Sequence, residues 1–192
     1  MPILAAEPQF CPDDLFERGR EGSLGRNWWV IHTKPRQEKS LARHLHAASL
    51  PFYLPLVRKR LRLRNRTMTS HTPLFPGYVF LLAEGEERIA AFSTNRIVRS
   101  IPVVDQARLW NDLIQVQRLI STGAPITPEG RLAPGTVVDI RSGPLAGLRG
   151  KILKTASGRR FVVEVDFIQR GASIVLDDLA LVPVLDADSE KD

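Results

Sequence analysis

The sequence predicts an α+β chain in two modules, a mixed one in which strands and helices alternate and a shorter one built only of strands. Three observations lead there. Between residues 28 and 121, aromatic and β-branched runs alternate with stretches whose apolar residues recur at helical spacing. Between residues 134 and 176, short β-rich runs are separated by glycine-bearing turns. The intervening residues 124–133 hold Pro125, Pro128 and Gly130 without an apolar pattern, the composition of a linker.

The first module is expected over residues 27–123. Trp28-Trp29-Val30-Ile31-His32-Thr33 reads as a strand. A helix is expected to start at Pro35, because proline lacks the amide that a first helical turn leaves unpaired, with Thr33 as its cap. Through Ser49, the apolar Leu41, Ala42, Leu45 and Ala48 keep helical spacing, while Lys34, Arg36, Lys39 and Arg43 take the remaining surface. Phe52 to Val57 is extended and runs into residues 58–66, where leucine alternates with arginine. That period of two predicts a hairpin arm with its tip near Asn65-Arg66. Leu74 to Ala83 reads as a central strand broken by Pro76-Gly77, Glu86 to Ser93 as a short helix and Val98 to Val104 as a strand. Arg108 to Ser121 closes the module as a helix, with Leu109, Leu113, Val116, Leu119 and Ile120 at helical spacing. The order β-α-β-β-α-β-α is a ferredoxin-like split β-α-β arrangement with one added helix.

The second module is expected over residues 134–185. Val137 to Ile140, Lys151 to Thr155, Phe161 to Val165 and Ser173 to Leu176 read as strands, with Gly147 and Gly150 expected to supply positive φ around Leu148. Strands this close in sequence predict a small, five-stranded, SH3-like β-barrel, since closure removes exposed edges. Residues 1–26 show no sustained periodicity and read as a flexible N-terminal extension, mobile or loosely docked, and residues 186–192 form a short acidic tail.

Charge is unevenly placed. Residues 27–123 carry fifteen Lys or Arg against six acids, whereas residues 134–185 carry seven against five, so a polyanion-seeking surface belongs to the first module. The arm alone, residues 58–66, has six basic side chains and no acid. The single cysteine, Cys11, allows neither an intrachain disulfide nor a cysteine metal site, which suits a reducing compartment. No apolar run approaches the ~20 residues of a membrane span, and the N-terminus lacks a signal-peptide pattern, so a cytoplasmic protein with no membrane contact is expected.

Catalysis is not expected. Cys11 lies in the extension and no serine sits in a nucleophile-elbow context. His44 and His46 on one helix point about 200° apart and cannot share a zinc ion. Residues 143–147 lack the Gly-Lys-Ser/Thr ending that grips nucleotide phosphates. The sequence therefore predicts no enzyme, no cofactor and no metal.

Trp28-Trp29-Val30, Leu74-Phe75-Pro76-Gly77-Tyr78-Val79-Phe80 and the glycine-spaced stretch from Pro134 to Thr155 occur in the order and at the separations seen in NusG-type transcription elongation and antitermination factors. The chain resembles that family over residues 27–184, with residues 27–123 as its NGN domain and residues 134–185 as its KOW domain. Basic residues in the first helix and the arm make it look more like the specialised RfaH-like paralogues than the general factor. The resemblance implies a monomeric factor whose NGN domain docks an apolar depression on the clamp of RNA polymerase and suppresses pausing or termination.

The positions that carry over for polymerase are His32, Phe75, Pro76, Tyr78 and Phe80. Taken singly, each strand aromatic among them also reads as core, and alternation places Tyr78 and Phe80 on one face with Val79 and Leu81 on the other. For the non-template DNA strand, Lys34 and His44 match the family's positions, Arg36, Arg43 and Arg96 lie near them in the implied fold, and Arg62, Arg64 and Arg66 lie along the arm. The resemblance implies that Phe167, Ile168 and Arg170 fall in the loop through which the KOW domain meets a small-subunit ribosomal protein or Rho, and the two apolar residues read equally as a cap on the barrel's own core. The second polymerase contact of the paralogues, a histidine followed by threonines, has no counterpart near Arg88-Ile89-Ala90-Ala91.

The alternative is a ribosome- or RNA-binding KOW protein with no polymerase role. A continuous basic surface over both modules would favour it, and an apolar dock centred on Phe75 and Tyr78 would favour polymerase. The β-branched runs and turn glycines predict that isolated residues 130–185 give a β-type circular dichroism spectrum; a mostly helical one contradicts that.

Overall fold

The computed structural model describes residues 7–17, 19, 25–63, 66–129, 135–143, 145–155, 158–175 and 181–183. The chain divides into two compact units at Asn111/Asp112. In order, the first unit carries β1 (Phe10–Cys11), β2 (Asn27–Thr33), α1 (Glu38–Ala47), β3 (Phe52–Tyr53), β4 (Leu56–Leu63), β5 (Arg66–Pro73), β6 (Tyr78–Ala83), α2 (Gly85–Phe92), β7 (Ile97–Pro102) and the start of α3 (Gln106–Ser121).

Five of these strands pair antiparallel in the order β1-β3-β6-β2-β7. β6 lies between β2 and β3, the two strands that α1 connects, which is the split β-α-β expected from the sequence. Alternation along β6 then divides its side chains between two cores. Val79, Leu81 and Ala83 join Ile31, Leu41, Ala42, Leu45, Phe52, Leu54, Ala91 and Ile97 in one apolar cluster shared with α1 and α2. Phe80 belongs to an aromatic layer on the other face, 6.4 Å from both Tyr53 and Phe75 between ring centroids. Phe16 extends this layer from Tyr53, at 5.0 Å, to Trp110, at 6.1 Å, and Trp28 lies 5.6 Å from Trp110. Where β7 ends, the Gln106 side chain continues its role: its amide donates to the Trp28 carbonyl and its carbonyl accepts from the Trp28 N–H.

Two details depart from the expected first module, the start of α1 and the role of Thr33. α1 begins at Glu38 instead of Pro35, because β2 runs on to Thr33 and Arg36 takes a left-handed φ of 60°, which no helix tolerates. Thr33 therefore caps nothing; its hydroxyl is buried without a partner. Of the extension read as mobile or loosely docked, residues 7–17 are docked: β1 pairs with β3, Leu15 is buried and Phe16 tiles the aromatic layer. The arm is the antiparallel β4–β5 pair, with Arg58 opposite His71 and Leu63 opposite Arg66, so its tip at residues 64–65 lies outside the described residues.

The second unit holds the rest of α3, then β8 (Thr127–Glu129), β9 (Thr136–Ile140), β10 (Arg149–Thr155), β11 (Gly158–Val165), β12 (Arg170–Val175) and β13 (Leu181–Pro183). It has six strands instead of five, antiparallel in the order β13-β9-β10-β11-β12-β8, and among the described residues the ladder is open and does not close into a barrel. The sixth strand comes from the expected linker, where Thr127–Glu129 pairs with β12 and the Ser173 hydroxyl donates to the Glu129 carboxylate. Gly147 takes positive φ as expected, but Gly150 does not; a Cβ there would stand 2.4 Å from the Val162 carbonyl oxygen and 2.7 Å from the Phe161 ring. Close approach, and not backbone freedom, requires that glycine.

α2 illustrates how charge fixes a short helix. Glu84 and Glu87 form a reciprocal capping box, and the Arg26 guanidinium donates to both Glu87 carboxylate oxygens, at 2.9 and 2.8 Å. The hydrogen bond from Arg26 holds the Glu87 carboxyl below its ordinary pKa, more strongly than burial raises it. A depressed carboxylate contributes stability above its unfolded pKa and loses it as pH falls through the folded value. Urea unfolding between pH 7 and pH 3 should therefore show an acid-side loss that is smaller in Glu87→Gln, by about 1 kcal/mol or less; an unchanged acid profile would show that the pair contributes nothing.

Candidate functional site

Phe75-Pro76-Gly77-Tyr78 is a β-turn. The Tyr78 N–H donates to the Phe75 carbonyl at 3.1 Å, proline occupies the second position and Gly77, at φ 86°, the third, which are the residues a type II turn requires. Two further bonds fix it. The Glu38 carboxylate, itself buried in the first turn of α1, accepts the Gly77 N–H at 2.7 Å, and the Gly77 carbonyl accepts the Thr33 N–H at 2.9 Å. A buried carboxylate accepting a backbone N–H holds the turn against the end of β2.

The five sequence-predicted polymerase contacts separate into two groups. Phe75 and Phe80 are sealed inside, at 2% and 0% exposure, because both point into the aromatic layer; they shape the turn from beneath and offer no surface. Pro76 is exposed, and His32 and Tyr78 are half-buried, their rings 5.5 Å apart as directly opposed residues of β2 and β6. Arg99, exposed and opposite His32 on β7, joins this group. It was missed from sequence, although the β7 register marks it. Tyr53 was missed for a different reason: it is fully buried, and burial pushes its phenol up, so it works as core.

A basic shoulder follows directly on the chain from His32. Lys34 is exposed, its ammonium donates to the Asn95 side-chain oxygen at 2.8 Å, and its backbone N–H donates to the Arg96 carbonyl. Arg96 is half-buried, its guanidinium donating to the Ser40 hydroxyl and the Thr94 carbonyl. Arg36 is exposed on the same turn. Lys34, Arg36 and Arg96 are thus brought together, with Asn95, at φ 54°, as an exposed amide that the sequence reading passed over. Arg43 and His44 lie exposed on α1, and Arg43 is held by Glu7. Arg62 and Arg66 are placed by the backbone pairing of the arm, and Arg64 lies outside the described residues.

In the second unit, Phe167 and Ile168 sit half-buried in a single 3-10 turn, Asp166–Ile168. The turn is held by the Asp166 N–H donating to the Asp112 carboxylate at 3.1 Å and by the Gln169 amide donating to the Asp166 carbonyl, and Arg170 opens β12 half-buried. Among the described residues no group of His, Cys, Asp and Glu could hold a metal ion, and no helix is long and apolar enough to cross a membrane.

Comparison with known proteins places the first unit. Residues 26–117 match the model of the family described as transcription termination factor nusG, so this stretch is an NGN-like domain. A solved structure described as "Domain interaction in Thermotoga maritima NusG" is similar at 19% identity and a TM-score of 0.44, covering 80% of this chain and 95% of the other. No curated protein matches the chain.

The two groups of aromatics predict different costs. Phe80→Ala should destabilise the protein by about 3–5 kcal/mol, and Tyr78→Ala by about 1 kcal/mol or less, measured as urea midpoints; equal costs would mean that Tyr78 is core.

Proposed function

We propose that this chain is a transcription elongation and antitermination factor of the NusG type, with the character of an RfaH-like paralogue. The observation that carries this reading is the Thr33–Gly77 hydrogen bond, which joins an exposed turn with aromatic neighbours to a basic shoulder one residue further along the chain. Tyr78 and His32 have the chemistry of an interface anchor, flat rings with polar tips that need little reordering on contact, and Pro76 adds a rigid apolar edge beside them. They are assigned to RNA polymerase, with its clamp as the docking element. Lys34, Arg36 and Arg96, with Arg43 and His44 on α1, are assigned to the displaced non-template DNA strand, where basic side chains track phosphates and release counterions. The arm, carrying Arg62, Arg64 and Arg66, extends this contact.

Bound in this way, one domain would touch the enzyme and the strand it unwinds, and so oppose pausing or termination. The KOW-like second unit recruits a small-subunit ribosomal protein or Rho through Phe167, Ile168 and Arg170. The family match over residues 26–117 supports the transcription role.

Tyr78→Ala is expected to weaken association with purified RNA polymerase about tenfold, as a loss of one interface anchor of 1–2 kcal/mol. Lys34→Ala with Arg36→Ala should leave polymerase association near wild type, lower DNA binding and reduce the slope of log affinity against log salt by about 1–2. Binding to ribosomal subunits in place of polymerase would support the alternative of a ribosome- or RNA-binding KOW protein.

A further inference from the structure

Residues 7–17 contain Glu7, Asp13, Asp14 and Glu17 and no lysine or arginine. This acidic segment lies outside the stretch that matches the family model, which begins at residue 26. It is nevertheless seated on the domain. Phe10 and Cys11 pair with Tyr53 and Phe52, the Leu54 N–H donates to the Gln9 carbonyl, Leu15 is buried, and Phe16 meets Tyr53 and Trp110 edge-on. At its leading end both Glu7 carboxylate oxygens accept from Arg43 Nη1 at 2.8 Å.

Arg43 is one of the cations assigned above to DNA, and a carboxylate with both oxygens on a guanidinium occupies the position a phosphate would take. We propose that residues 7–17 form an acidic strap in which Glu7 competes with single-stranded DNA for Arg43, holding the affinity of the α1 face below its full value. The inference rests on the DNA reading of that face.

Its parts divide the work. Leu15 and Phe16 are buried or stacked and keep the strap attached, whereas β1 pairs over only two residues and the Arg43 side chain remains 57% exposed, so the Glu7 end can lift while the anchor stays. Phosphates arriving at Arg43 displace Glu7 without unfolding the domain.

The test is fluorescence anisotropy of the full chain with a labelled single-stranded DNA of about 15 nucleotides, near the length one binding groove covers. Glu7→Gln should bind about two- to fivefold tighter than wild type at low salt, the range expected from freeing one exposed ion pair. The gain should vanish when Arg43→Ala is combined with it, and thermal midpoints should stay unchanged. Affinity of Glu7→Gln equal to or below wild type, or a gain that persists with Arg43→Ala, overturns the strap. Lys34→Ala with Arg36→Ala separates the two failures: if that variant loses affinity while Glu7→Gln changes nothing, the DNA reading stands and the strap falls. If that variant and Glu7→Gln both bind as wild type does, both fall together.

Discussion

Strand β6 is paired on both edges and covered on both faces, and the candidate surface is what that double burial leaves over. β2 pairs with it along its whole length, and on the other edge β3 takes Phe80 and Leu81 while the Leu82 N–H donates to the Pro51 carbonyl. With Val79 and Leu81 in one core and Phe80 in the other, its middle has no side chain to offer a partner. Only the entry to the strand reaches the surface. There the chain arrives through a turn that needs proline, glycine and a buried carboxylate to hold its shape, and Pro76 and Tyr78 come out beside His32.

The same geometry ties the aromatic edge to the charged one. Because Thr33 bonds to Gly77 at the end of β2, the next residues, Lys34 to Arg36, must turn sharply before α1 can start, and the left-handed Arg36 is the result. The turn places two exposed cations beside the aromatic edge. It also leaves the helix face with Leu41, Ala42 and Leu45 inward and Arg43 and His44 outward. Electrostatic attraction over such a face sets on-rate and salt dependence, and aromatic contact sets residence time.

From β2 onward, strand and helix existence in the first unit was legible, since periodicity reports which faces are buried. The break at Pro76-Gly77 was legible too, because proline and glycine have fixed conformational uses, although the strand read from Leu74 starts only at Tyr78. What escaped the sequence was which aromatic is covered. Tyr78 and Phe80 share a strand face, and only the aromatic layer reaching from Tyr53 through Phe16 to Trp110 shows that one is sealed and the other not. Residues 7–17 escaped for a related reason: a two-residue strand and a lone Phe16 have no period, and their docking is tertiary. In the second unit, β8 was hidden by Pro128, a residue that reads as linker but is tolerated on an edge strand. That the ladder stays open among the described residues could not be read from strand spacing at all.

The central claim is that one continuous surface, Tyr78 beside Lys34 and Arg36, faces an enzyme and a nucleic acid strand at once. It is tested most directly by photo-crosslinking within assembled transcription elongation complexes, using a photoreactive residue at position 78 in one preparation and at position 36 in another. The expected result is a crosslink from position 78 to a large polymerase subunit and from position 36 to the non-template DNA strand. Crosslinks from position 78 only within the chain itself, or from neither position to the complex, would contradict it.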